Sequence, residues 1–563
     1  MIRNLRPRPF VLRNAIQGGI SVKKLSKLLC TALAAAMLAT AVTGCGDGSN
    51  PSSGTPASTG GSSASTGGEE NPYAEHMEIT IGSWDLDYDV DPNVTDPLYQ
   101  SILDKFNISI KTMNTTWDDY IQKIQTWAAG GSTLPDLFSI DAVGQPFYTT
   151  WVKEGIVKEI PDDLSAYPNL KAIMDLADTT AYKDPDGHYY CIPKPNYADN
   201  VLWALEKGVY VRKDWLEACG ITADPQNMDE LIKNIQTVME KNPEGAANLV
   251  GITAQNKAHF FSLMLNYAPE VASGMNYWVK DAENKWTPGI FTDRTRTGLL
   301  EMNKLYTSGV MDKDIPILKD TEAMDKFCAG KAVALCAAPN LTTAVMDNFA
   351  KIFPDKDFTE CVAYLKPWKA ENGKTYRFST LTHWAETYIS GNCDDAKRDR
   401  ILAFYDYMLG DGLTAMRYGE EGVDYTMDGD NIVITREKDA DGNFVTVHKL
   451  HPQLTNLKSV FTWDGDFALV DPSGNQTALG MERDYADWLR ANTDIVETNF
   501  QLTYMTYENQ DKTISDPSDE MIKVVMSDDA EGAYESMIAT LKANGYDDAI
   551  QSFNDAAKAM GIE

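Results

Sequence analysis

The chain has 563 residues, with 82 acidic side chains against 50 basic ones and a formal net charge of −32. A surface this acidic repels phosphate backbones and anionic lipid headgroups, which argues against nucleic-acid binding and against an electrostatic membrane contact. The length suffices for two or more cored domains at about 100–200 residues each, and the eight cysteines contain no C-x-x-C pair, so neither a zinc cluster nor a disulfide scaffold is expected.

The first 44 residues carry seven Lys or Arg and no acid. Lys23, Lys24 and Lys27 precede an apolar run from Leu28 to Ala41, which falls short of the ~20 residues that a spanning helix needs. It reads instead as the h-region of a signal. A compact n-region begins at Val22, which fits a start codon there rather than at Met1. Val42-Thr43-Gly44-Cys45 resembles the bacterial lipobox, whose cysteine is acylated and becomes the first residue of the mature chain. Cys45 is therefore expected to be the lipidation site, with residues 1–44 as signal peptide and the lipid as the only membrane contact. Residues 45–75, rich in Gly, Ser and Thr, bury too little to offset chain entropy and are expected to be a flexible tether.

The fold is predicted to begin at Met77, where the Ile79/Ile81 alternation marks a strand ending at Trp84. A helix through Leu98, Ile102, Leu103 and Phe106 follows, and then a strand over residues 108–112. Thr116 to Asp119 has capping-box spacing, and Trp117, Ile121, Ile124 and Ala128 recur at helical steps until Gly130 and Gly131. Residues 135–141 supply a third strand, so strand, helix, strand, helix, strand predicts a parallel α/β sheet that binds ligand at its carboxyl edge. Residues 188–193 run extended into Pro195, Val209 to Val211 is strand-like, and Leu231, Ile235, Val238 and Met239 mark a helix. A further helix runs from Asp293 to Gly309, and residues 330–335 form a small buried strand, giving a second α/β unit. Tyr425 to His448 reads as a meander, and the apolar positions from Met521 to Ile550 as closing helices. Asp439 to Asn443 has its glycine at the fourth position of a calcium-type loop rather than the sixth, so turn chemistry explains it better.

Read together, these segments resemble the extracellular solute-binding proteins of bacterial ABC importers, especially the large sugar-binding lipoproteins of Gram-positive bacteria. The stretch Gly187 to Pro193 (GHYYCIP), followed by Val209 to Ile221 (VYVRKDWLEACGI), matches a block of that family almost residue for residue. Leu134 to Leu137, Leu305 to Asp312, Phe327 to Ala334 and Tyr418 to Tyr425 follow in the family's order. The resemblance implies a type II, two-lobed α/β fold closing by a hinge on its ligand. Lobe 1 would hold 76–193 and about 320–375, and lobe 2 would hold 196–319 and about 376–563 with the C-terminal helices. Pro193 to Pro195 would be the first crossing, and the strand near Val333 the return to lobe 1. It also implies a monomer on the extracellular face of the cell membrane, without catalytic residues, cofactor or metal, that serves a permease and an ATPase carried on separate chains. The chain itself contains no G-x-x-x-x-G-K-[ST].

Twelve tryptophans favour a glycan ligand, because sugar C–H faces lie well on aromatic rings. For any one tryptophan core packing is the better explanation, and Trp117, Trp127 and Trp215 are assigned to structure. Trp84 and Asp85 follow the first strand at the ligand edge, and Asp141 follows the third. Trp384 precedes the strand-like run Glu386 to Ile389, and Trp463 lies in a Gly-containing loop. Where maltose-type relatives have a stacking tryptophan, this chain has Asn340, which suits a sugar hydroxyl. The candidate ligand residues are therefore Trp84, Asp85, Asp141, Asn340, Trp384 and Trp463. A peptide ligand, a secreted carbohydrate-active enzyme and a ligand sensor for a signalling receptor stay open on the sequence alone.

Overall fold

Strand β1 (Met77–Trp84) carries Ile79 and Ile81 at 0% exposure and pairs in parallel with β2 (Ile108–Thr115), Met77 opposite Ile108 and Trp84 opposite Thr115. The structure, a computed structural model, describes residues 73–562 apart from 117, 118, 132, 185, 430, 440, 441, 443, 497 and 498. The expected signal peptide, Cys45, the tether up to residue 72 and Trp117 lie outside the described residues. Between β1 and β2 the helix Pro97–Phe106 starts where Asp96 Oδ1 accepts the amides of Leu98 and Tyr99, and it stops at Asn107, left-handed at φ 48°. Such caps satisfy amides and carbonyls that the helix itself leaves over.

The next helix, Tyr120–Ala129, begins later than the spacing predicts. Its N-cap is Asp119, whose carboxylate accepts the Thr116 amide at 2.7 Å, so a turn closes before the helix starts. Strand β3 (Leu137–Ile140), buried throughout, pairs with β1 in parallel. Strand β4 (Ile192–Pro195) then ends the first run of this sheet.

A second sheet follows the first crossing. Strands β5 (Gly208–Arg212) and β6 (Val250–Ala254) come first, then a two-stranded hairpin of β7 (Trp278–Lys280) and β8 (Trp286–Pro288). Strand β9 (Ala332–Ala337) lies between β5, antiparallel to it, and β6, parallel to it, and β10 (Val362–Tyr364) completes the order β10-β5-β9-β6. The strand containing Val333 thus belongs to the second sheet and is not the return to lobe 1. A parallel neighbour of β6 needs a crossover, and the helices Asp293–Thr307 and Asp320–Cys328 supply it.

The chain regains the first sheet only at β11 (His383–Ile389), which runs antiparallel between β3 and β4. Residues from about 320 to 364 are therefore second-lobe, and those from 383 through the helix Gly465–Ala468 are first-lobe, the reverse of what the resemblance implies. Leu454, Leu457, Val460 and Phe461 share one core with Ile79, Ile81 and Leu137. The helix Gln476–Asn492 then places Tyr485, Ala486 and Leu489 in the second core, where Met521, Val525, Leu541 and Tyr546 of the closing helices join them. Strands β12 (Tyr425–Asp428) and β13 (Asn431–Ile434) form a hairpin at the predicted meander.

The family block has a structural explanation. Arg212, fully buried, forks onto Asp214, reaches Glu244 at 2.9 Å and lies 3.9 Å over the Trp215 ring. Trp215 is 2% exposed, a core residue as assigned from the sequence. The six cysteines among the described residues are free thiols. No helix among them is long and apolar enough to cross a membrane.

Candidate functional site

Because β11 is antiparallel to its neighbours, its amino end meets the carboxyl ends of β1, β3 and β4 on one edge of the first sheet. That edge presents Trp84, Asp141, Lys194 and the pair His383 and Trp384. The loop after the helix Lys458–Phe461 docks on it: the Trp463 amide and the Thr462 hydroxyl both donate to Pro195 O, at 2.8 and 2.9 Å. Asp464 is left-handed at φ 56°, and a Cβ on Gly465 would collide with the Tyr197 ring, so only glycine lets this loop sit so close.

Three indoles meet here. Trp84 and Trp463 stack with ring centres 5.5 Å apart and planes 14° apart, and Trp384 lies 5.1 Å from Trp463. The Trp463 Nε1–H donates to Trp384 O at 2.7 Å. Trp84 is only 4% exposed and also takes the Tyr120 ring edge-on at 4.9 Å. Trp384 and Trp463 are half-buried, the first packed against the second-lobe core and the second against a first-lobe core. This pair therefore spans the boundary between the lobes.

Beneath the indoles lies a buried charge cluster that the sequence reading missed. Lys194 is fully buried, its Nζ 4.1 Å over Trp84 and 4.4 Å over Trp463, and it donates to Ser459 O at 2.9 Å. Burial holds its ammonium well below the ordinary lysine value, opposed by the charges of Glu386 and Asp141. Burial also raises the Asp141 carboxyl, against the pull of Lys194. Glu386, fully buried, is pushed up to about 8 by burial first and by Asp141 second. Its Oε2 accepts from Ala142 N (3.0 Å), Val143 N (3.4 Å) and the Tyr388 hydroxyl (2.8 Å), while Oε1 has no partner. The signals were present in the sequence: a lysine between two prolines in an apolar strand, and a glutamate inside an apolar one.

Next to Glu386, Ala385 is left-handed at φ 59° where the β11–β4 register slips, a bulge that re-aims the strand start. His383 is buried at this start, held by Thr179 Oγ1 at 3.1 Å, and burial lowers its pKa to about 4, so it stays neutral.

The structure thus brings Trp84, Asp141, Trp384 and Trp463 together. Asp85 is exposed, one residue past β1 at φ 57°. Asn340 is exposed at the end of the second sheet, not the first, and its Nδ2 donates to Glu206 Oε1 at 2.8 Å. The Tyr197 hydroxyl donates to the same oxygen at 2.6 Å, and Tyr197 touches the Trp463 loop, so Asn340 connects to the indole group through two side chains. A cavity of about 40 Å³ lined by Lys207, Asn266, Arg377 and Phe378 holds a water or two but no sugar ring.

Residues 91–415 match the profile of a family described as bacterial extracellular solute-binding protein. The polygalacturonan/rhamnogalacturonan-binding protein YtcQ of Bacillus subtilis (strain 168) is 24% identical over 461 residues, which is 79% of this chain and 85% of that one. Among solved structures, the alginate-binding protein AlgQ2 superposes with a TM-score of 0.65 at 18% identity, covering 86% of this chain and 98% of its own. The Streptococcus pneumoniae ABC-transporter substrate-binding protein FusA, in complex with kestose, gives 0.62 at 15% identity, covering 87% and 100%. These likenesses establish the two-lobed type II solute-binding fold.

Proposed function

Because the chain belongs to the bacterial extracellular solute-binding protein family, we propose that it captures an oligosaccharide between its two sheet edges and delivers it to the permease of an ABC importer. The observation that carries this reading is the indole pair Trp384 and Trp463, which lies half-buried across the lobe boundary over a packed floor. Flat apolar rings suit sugar C–H faces, and the carboxylate and amide side chains around them suit hydroxyls. The relatives point the same way, since proteins named for pectic polymers, alginate and kestose are among them. Closure needs only that the ligand make contacts with both lobes that the open form lacks; the loaded, closed form is then what the permease recognises.

Carriage without chemistry also fits the carboxylates. Asp141 and Glu386, at the indole site, include the raised acid that a glycosidase needs, but Glu386 is 0% exposed and beyond the reach of a sugar. A screen of oligosaccharides by thermal shift tests the reading. A ligand at about 100 times its dissociation constant stabilises the folded state by about 2.7 kcal/mol, and it is expected to be recovered intact. A ligand recovered hydrolysed would move the protein to the carbohydrate-active enzymes.

The reading includes a lipid anchor at Cys45 on the extracellular face of the membrane, with the body acting as a monomer and the ATPase on another chain. It rests on the apolar run and the Val42-Thr43-Gly44-Cys45 motif. Cys45→Ala is expected to release the protein from the membrane fraction, as followed by blotting cell fractions; a variant that stays membrane-bound after signal cleavage would remove the anchor from the proposal.

A further inference from the structure

The second sheet's edge carries polar side chains that the indole site does not use. Gly208 lies opposite Ala337, and Ala254 opposite Cys336, so Lys207 and Gln255 stand one residue beyond the strands on either side of β9, at the same end. Gln255 Nε2 donates to Asp320 Oδ2 at 3.2 Å. A carboxylate accepts only from the amide nitrogen, so this bond orients the group. Its Oε1 is left buried without a hydrogen-bond partner. Lys207 is half-buried, and its Nζ has no hydrogen bond or ion pair among the described residues. Burial lowers its pKa, while Glu206, Asp516 and Asp320 act on it from beyond ion-pair distance and oppose that shift. An acceptor without a donor and a donor without an acceptor stand on one rim, next to Asn340 and Glu206.

We propose that Lys207 and Gln255 form the second-lobe half of the ligand site, taking hydroxyls of a neutral oligosaccharide rather than the carboxylate of a uronate. This rests on the sugar-carrier reading. Gln255 is half-buried as a residue, so a turn of its side chain brings the enclosed Oε1 to a ligand hydroxyl while another hydroxyl accepts from Lys207, and both orphaned groups are satisfied without bringing in charge. A ligand carboxylate near Lys207 would be the fourth there, after Glu206, Asp320 and Asp516. The neighbouring cations are engaged or out of reach: Lys194 lies fully buried under the indoles, Arg417 forks onto Asp464, Arg490 is paired with Asp199, and Arg377, its Nη1 donating to Thr493 O at 2.6 Å, lines a cavity too small for a sugar ring. This chain is thereby distinguished from its pectic-polymer-binding relative on the sign of charge its cleft tolerates.

Calorimetric titration of the full chain with neutral gluco-, manno-, galacto- and arabino-oligosaccharides, against oligogalacturonates of matched length, tests this. A neutral ligand is expected to bind at least about 10-fold more tightly than any oligogalacturonate, and Lys207→Met and Gln255→Leu are each expected to weaken it by about 10-fold, with unchanged melting. Asp516→Asn, which takes away one of the repelling carboxylates, is expected to narrow the gap. Oligogalacturonates that bind as tightly as the neutral ligand, or a Lys207→Met variant that weakens only the acidic ligands, would overturn the inference. The comparison between panels needs no variant, so it stands even where a substitution fails to fold. If no oligosaccharide of either kind binds, the sugar-carrier reading falls and this inference falls with it.

Discussion

Trp84→Ala is expected to lower the unfolding free energy by about 3–5 kcal/mol, the largest effect of any single indole truncation at the site. Trp84 is 4% exposed, stacked on Trp463 and edge-on to Tyr120, and it covers one side of the buried Lys194 ammonium. Truncation leaves a cavity and also strips a cation–π partner from a charge that has no water to turn to. Trp384→Ala and Trp463→Ala remove half-buried rings, so their main cost is expected in ligand affinity, about 1–3 kcal/mol or roughly 5- to 150-fold. Chemical denaturation and calorimetry on the three variants separate the roles. Unchanged unfolding with lost binding in Trp84→Ala would make it a ligand-stacking residue instead of floor.

The sequence pointed to the edge where four of the six candidate residues meet, but not to the layers within it. Period-two alternation at Ile79 and Ile81, and a strand–helix–strand rhythm, locate the carboxyl ends of β1 and β3, and so Trp84 and Asp141. Nothing local says that Trp463, hundreds of residues later, covers Trp84, because that depends on the docking of one loop on Pro195. The lobe assignment after residue 320 fails for a similar reason. Ala332 to Ala337 is buried on both faces, and a continuous apolar strand carries no periodicity to say which sheet it joins. Asn340 follows that strand to the second sheet's end. The Lys194, Asp141 and Glu386 cluster was hidden because each residue looks like an ordinary charge until the fold removes the water around it.

That cluster makes stability depend on pH in a direction opposite to the usual carboxylate. Glu386 has a folded value of about 8 against an ordinary 4.5, so between those values the native state holds a proton that the unfolded chain has released. Stability is then greatest toward the acid end of the window. It falls by about 1.4 kcal/mol per pH unit as pH rises through it, and levels off once both states are ionised. Glu386→Gln copies the protonated acid: its carbonyl oxygen can still accept from Ala142 N, Val143 N and the Tyr388 hydroxyl, the contacts that Oε2 now makes. The variant is expected to match the parent near pH 5 and to exceed it at pH 8 by about 2–4 kcal/mol, as read from urea unfolding across the range. Titrating groups away from the cluster act on both proteins alike, so the difference between the two curves isolates Glu386 together with the Asp141 and Lys194 that it interacts with. Parallel curves would mean that Glu386 is ionised in the folded protein, with the Lys194 charge acting on it from beyond ion-pair distance and the floor of the site a charged one.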